Sequence, residues 1–121
     1  MRIRCVKQKI DNLNVPRVYN DMSEYLPLGN LYEVFGIRFS ENITYVYIFN
    51  GNHLFEVPIE MFSVVDDQVT DKWKIKVWDD GEVTLWPELF YRDGFLENFA
   101  EHEHKERGLF EELRAEIEGE A

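Results

Sequence analysis

The chain has 121 residues, of which 45% are apolar and 15% aromatic, with nine Phe, six Tyr and three Trp. That length fits a single domain, 1–121, with ample material for a packed core, and it argues against a disordered chain. Thirteen basic against 24 acidic residues leave a formal net charge of −11, which opposes binding to phosphate backbones and favours cationic partners.

Met1-Arg2-Ile3-Arg4-Cys5-Val6-Lys7 alternates charged and apolar residues. It reads as a strand over Ile3–Lys7 and lacks the continuous apolar stretch of a signal peptide. No run approaches the roughly 18 apolar residues that cross a bilayer. The expectation is a cytoplasmic protein with no membrane partner. Cys5 is the only cysteine and shares an apolar face with Ile3. It has no internal disulfide partner, and its pattern is that of a buried strand residue. Residues 11–30 lose periodicity and collect Asn, Pro, Asp, Ser and Gly, which predicts a long irregular connection closed by a turn over Leu26–Asn30.

From Leu31 the pattern is β. Leu31, Phe35, Ile37 and Phe39 share one parity and Tyr32 and Val34 the other, with Gly36 as a candidate bulge. Ile43 to Phe49 is apolar on both parities, which predicts a central strand covered on both faces. Asn50-Gly51 then signals a type I′ hairpin turn, with His53 to Val57 returning. Ser63 to Asp66 is a short strand. A second hairpin follows. Trp73, Ile75 and Val77 alternate with Lys72, Lys74 and Lys76, predicting a half-buried strand with a basic outer face. Asp79-Asp80-Gly81 turns the chain towards Val83, Leu85 and Trp86. Both hairpins run into a proline, at Pro58-Ile59-Glu60-Met61-Phe62 and Pro87-Glu88-Leu89-Phe90. Each proline ends a strand and sets one tight helical turn that folds an apolar pair over the sheet.

After Asp93, a candidate N-cap, the period becomes helical. Phe95, Leu96 and Phe99 make one apolar stripe and Leu109, Phe110, Leu113 and Ile117 a second, separated by the charged and His-containing run Glu101–Arg107. Two segments or one bent helix fit, over about residues 93–118, with the β part over about 1–90. The fold class is mostly β (α+β). It is a small barrel or a strongly curved antiparallel sheet, with a C-terminal helical segment.

Catalytic signatures are scarce. Ser23, Ser40 and Ser63 lie outside any Gly-x-Ser-x-Gly elbow, and the seven glycines are scattered, so no phosphate loop forms. His102 and His104 are two residues apart, about 200° around a helix, whereas metal ligation from one helix needs a spacing of three or four. The reading is therefore a non-enzyme with no cofactor and no metal. Tyr45, Tyr47 and Phe49, with Trp73, Trp78 and Trp86, either line a cage for a methylated cation or form the core; the core is the expectation.

Charge points to the surface that matters. Residues 1–20 hold five basic and one acidic residue, residues 21–100 five and 15, and residues 101–121 three and eight. Asp66, Asp67 and Asp71 lie between strands, Asp79, Asp80 and Glu82 cap the second hairpin, and Glu97, Glu101 and Glu103 lie along the helical part. These nine are the candidate partner-binding residues, because a ridge of carboxylates can occupy a basic, phosphate-binding site.

The pattern Leu26-x-x-Gly29-x-x-Tyr32-x-Val34, the strand Tyr45-Val46-Tyr47-Ile48, the segment Val57-Pro58-x-x-Met61-Phe62-x-Val64-Val65-Asp66 and Trp73 resemble small bacterial SH3-like barrel proteins. Some of these occur beside polymorphic or contact-dependent growth-inhibition toxins. The resemblance covers about residues 26–90, rests on turn and core positions, and transfers no binding motif. It implies an immunity protein: a cytosolic stoichiometric inhibitor of a cognate toxin domain. The charge fits a basic nuclease toxin as the partner, with no nucleic acid bound directly. The alternative is a general protein-binding adaptor with an SH3-like barrel, using an exposed strand edge or the aromatic cluster.

Overall fold

The computed structural model describes residues 1–120. Eight strands form two antiparallel sheets. β1 (Arg2–Cys5), β2 (Leu31–Glu33) and β6 (Phe62–Asp66) form the smaller sheet, in the order β2-β1-β6. β3 (Gly36–Phe39), β4 (Thr44–Asn50), β5 (His53–Pro58), β7 (Trp73–Val77) and β8 (Val83–Pro87) form the larger, in the order β5-β4-β3-β8-β7. Helices α1 (Phe95–Ala100) and α2 (His104–Glu118) end the chain. The fold is mostly β with a C-terminal helical segment, and both sheets are open rather than closed into a barrel.

β4 explains how the layers stack. Its side chains alternate between two cores, as the apolar run on both parities predicts. Val46 and Ile48 pack with Ile3, Cys5, Leu26, Val34 and Met61, so the smaller sheet covers one face. Tyr47 packs with Phe35, Trp86, Phe90, Phe95, Phe99 and Phe110, so the helices cover the other. Each fully buried aromatic or aliphatic side chain contributes about 1.5–3 kcal/mol. Cys5 is a buried strand residue, and burial pushes its thiol above the ordinary range. The two proline-led turns also form: Ile59–Met61 and Glu88–Tyr91 are single 3₁₀ turns that bury Met61, Leu89 and Phe90.

Several details depart from the pattern. Leu31–Phe39 is two strands in different sheets. The Val34 amide donates to the Met1 carbonyl in the smaller sheet (3.0 Å) and the Phe35 amide to the Tyr47 carbonyl in the larger (2.8 Å), and the side-chain parity resets at Gly36, since Val34 and Ile37 face one core and Phe35 the other. Leu31 is exposed as a result, whereas Phe39 is exposed because it ends β3, two residues beyond the buried Ile37. Gly36 follows the crossing because a Cβ there would stand 2.9 Å from the Trp86 ring. The first hairpin turn is Gly51-Asn52, since Asn50 pairs with His53. Only Gly51 has positive φ there, at 63°, which is the first-position glycine of a type II′ turn and not the type I′ turn of Asn50-Gly51. β7 is not half-buried. It is the outermost strand, only Trp73 at its start packs against a core, and Ile75 and Val77 are 70% and 69% exposed. Asp93 does not cap α1; Gly94, at φ 71°, occupies that position without a side-chain bond.

Candidate functional site

The nine acidic candidates fall into three groups. The largest forms where the β6–β7 connection meets the end of α2. Asp66 and Asp71 line one cleft of about 520 Å³ together with Glu33 and Glu120. Asp67 follows on the adjoining surface beside Arg2. Thr70 is buried and fastens the connection to the helix: its hydroxyl donates to Glu120 at 2.8 Å and accepts the Lys72 amide at 3.1 Å. Lys72 also reaches Glu116 at 3.7 Å. Asp66 shapes the turn by accepting the Gln68 amide at 3.1 Å, and that bond holds its carboxyl below the ordinary aspartate range.

Seven carboxylates therefore gather here: Glu33, Asp66, Asp67, Asp71, Glu116, Glu118 and Glu120. Glu116 and Glu118 are paired with Lys72 and Arg114, the latter also reaching Glu111; the other five face two cations, the Met1 amine and Arg2, which leaves an excess of three negative charges. Glu33 is the most enclosed of the acids, and burial pushes its carboxyl upward against the pull of the Met1 amine 3.4 Å away. Sequence reasoning missed Glu33, Glu116, Glu118 and Glu120. The dense Glu spacing at the chain end was a signal for the last three, whereas Glu33 joins them only through the β1–β2 pairing.

The second group lies at the other end of β7. Asp79 stands eight positions beyond Asp71 with β7 between them, a span of up to roughly 25 Å. Asp79 and Asp80 are exposed, and Asp80 accepts the Glu82 amide at 2.9 Å. Glu82 itself is engaged inside the fold. Its carboxylate takes Arg38 at 2.8 Å, while Glu56 takes the same guanidinium from the other side at 2.5 Å and 3.0 Å. The Arg38 guanidinium also lies 4.4 Å from the centre of the Tyr45 ring. Tyr47 donates to the Glu56 carboxylate, and Tyr19 donates to the Glu56 carbonyl at 2.7 Å. The flanking carboxylates hold Arg38 protonated beyond its ordinary range, Glu56 first. Burial pushes the Tyr19 phenol up to about 12 and the Tyr47 phenol higher still.

The third group is at the α1–α2 link. Glu97 lies on α1, Glu101 at its C-cap and Glu103 at the N-cap of α2, all exposed. His102 between them adopts φ 62°, and its Nδ1 accepts from Arg107 at 2.8 Å; Arg107 also donates to the Asn52 carbonyl at 2.6 Å. The fold brings His102 to 5.8 Å from His53, ring centre to ring centre, although they are far apart in sequence. Among the described residues no three His, Cys, Asp or Glu side chains are placed to hold a metal ion, and no helix is long and apolar enough to cross a membrane. Tyr47 and the three tryptophans pack into or against the two cores, with Tyr47 and Trp86 edge to face at 5.7 Å.

Asp67, Asp71, Asp79, Asp80, Glu97, Glu101 and Glu103 have no cation within 4.0 Å among the described residues; Asp66 and Glu82 do. The structure thus unites Asp66, Asp67 and Asp71 with four further acids and leaves the hairpin tip and the helix link as separate acidic points. Comparison of the chain with protein-family models, with curated proteins and with solved structures gives no match.

Proposed function

We propose that the chain is a stoichiometric inhibitor of the immunity type, which holds a cationic toxin domain, in the first instance a nuclease, against its anionic end. The reading is supported above all by the excess of three negative charges on one contiguous surface around Glu33, Asp66, Asp71 and Glu120. A nuclease presents a basic groove shaped for phosphates, and carboxylates spaced along a rigid surface can occupy that groove. Long-range attraction then raises the capture rate by one to three orders of magnitude. The Thr70–Glu120 bond keeps the connection rigid, so little ordering entropy is lost on docking.

A general adaptor is the second reading, and the bare outer edge of β7 favours it. The test of the first reading is to purify the chain and mix it with the toxin domain encoded beside it. A one-to-one complex with loss of toxicity supports the inhibitor; no complex and undiminished toxicity dismiss it.

A further inference from the structure

β7 is the outer strand of the larger sheet, and its backbone is half unpaired. The Trp78 amide donates to the Glu82 carbonyl at 2.8 Å, in register with the pairs Val77–Val83 and Lys76–Thr84. Alternation along an antiparallel ladder then turns the N–H and C=O groups of Lys76 and Lys74 towards β8. Those of Trp73, Ile75 and Val77 turn to the open side.

The side chains of this edge carry a definite pattern. On one face Ile75 and Val77 are 70% and 69% exposed, and the apolar surface continues across the sheet through Val83 to Phe39, itself 41% exposed. On the other face Lys74 and Lys76 have no carboxylate within 4.0 Å among the described residues; Lys76 lies 3.8 Å from the Trp78 ring centre instead. Lys74 shares a cleft with Asp71, Glu88 and Glu116 but forms an ion pair with none of them, so in a chain of net charge −11 both lysines of this edge keep their charge for an incoming carboxylate.

We propose that β7 accepts an added strand from another protein, an extended segment in which acidic residues alternate with apolar ones. Its backbone would pair with Trp73, Ile75 and Val77, its apolar side chains would cover Ile75 and Val77, and its carboxylates would face Lys74 and Lys76. A second copy of this chain fits poorly. Antiparallel self-pairing centred on Ile75 sets Lys74 opposite Lys76, and like charges across strands repel. The proposal is independent of the cationic-partner reading, since it rests on the open backbone edge and the lysines of β7 and not on the carboxylates of the anionic end.

The test is a titration of the isotopically labelled full chain with a capped heptapeptide of alternating valine and glutamate, followed by backbone amide resonances. Saturable shifts centred on Trp73, Ile75 and Val77 are expected, with no such shifts from the peptide carrying lysine for glutamate. The exposed double variant Lys74→Glu/Lys76→Glu, whose amide spectrum reports that it is folded, should bind the glutamate peptide about tenfold more weakly. No shift at these amides at millimolar peptide overturns the proposal. So do equal shifts from the lysine peptide, or shifts that track protein concentration without peptide and so identify a second copy as the occupant.

Discussion

Arg38→Met isolates the network that ties β3, β5 and the β7–β8 hairpin together. Arg38 lies between two carboxylates, Glu56 at 2.5 Å and Glu82 at 2.8 Å, and the three side chains are 23–26% exposed. Exposed ion pairs contribute about 0–1 kcal/mol, whereas removing one partner of a buried pair costs about 3–5 kcal/mol. A site about three-quarters buried belongs nearer the upper range, so the variant should lose about 3 kcal/mol, mostly because two carboxylates are left without a cation. A domain of this size has about 5–15 kcal/mol to lose, so the variant still folds and its urea midpoint can be compared with that of the parent at pH 7. Adding Glu56→Gln and Glu82→Gln to the same background should return most of the loss. A loss below about 0.5 kcal/mol would place the network among ordinary surface pairs. Glu82 would then rejoin Asp79 and Asp80 as an acid free to meet a partner.

Phe110→Ala should destabilise the chain by about 3–5 kcal/mol in chemical unfolding, because the ring is fully buried 4.9–5.2 Å from the centres of Phe99, Phe49 and Phe35. A loss under about 1 kcal/mol would mean that α2 is not held against the sheet through this ring. Tyr19 provides a pH test. Its phenol rises from 10.0 to about 12 on folding, so its contribution is complete below pH 10 and is lost as the pH climbs towards 12. Alkaline unfolding of the parent, compared with Tyr19→Phe, should show a tyrosine-dependent step in that window; identical profiles would contradict it.

Local signals served where one rule acted alone. The doubly apolar run in β4, the two proline-led turns and the burial of the helical stripes on the sheet were all legible, because periodicity and the missing proline N–H act over a few residues. Where tertiary position decides, the sequence was silent. Ile75 and Val77 alternate as a half-buried strand does, yet on the edge strand β7 these two lie beyond the reach of either core. Val34 and Phe35 are adjacent but bond to different sheets, and the one local signal at that crossing is Gly36, which marks a break without saying that the chain changes sheets. Of the acidic candidates, net charge identified the type of surface but not its place. Asp66 and Asp71 meet Glu33 and Glu120 only through the β1–β2 and β1–β6 pairings and the return of α2. Glu82 carries the same charge as its neighbours and is engaged by Arg38 instead.

On the proposed inhibitor reading, the anionic end is tested most directly by the rate at which the chain captures a purified basic nuclease toxin domain offered as its cognate partner, measured by stopped flow over a range of salt. The triple variant Asp66→Asn/Asp67→Asn/Asp71→Asn keeps the side-chain oxygen that accepts the Gln68 amide while removing three charges. Its association rate should fall about tenfold or more at low ionic strength and converge on the parent's rate at high salt. Equal rates for the two proteins at every salt concentration would contradict the claim that these carboxylates draw the partner in.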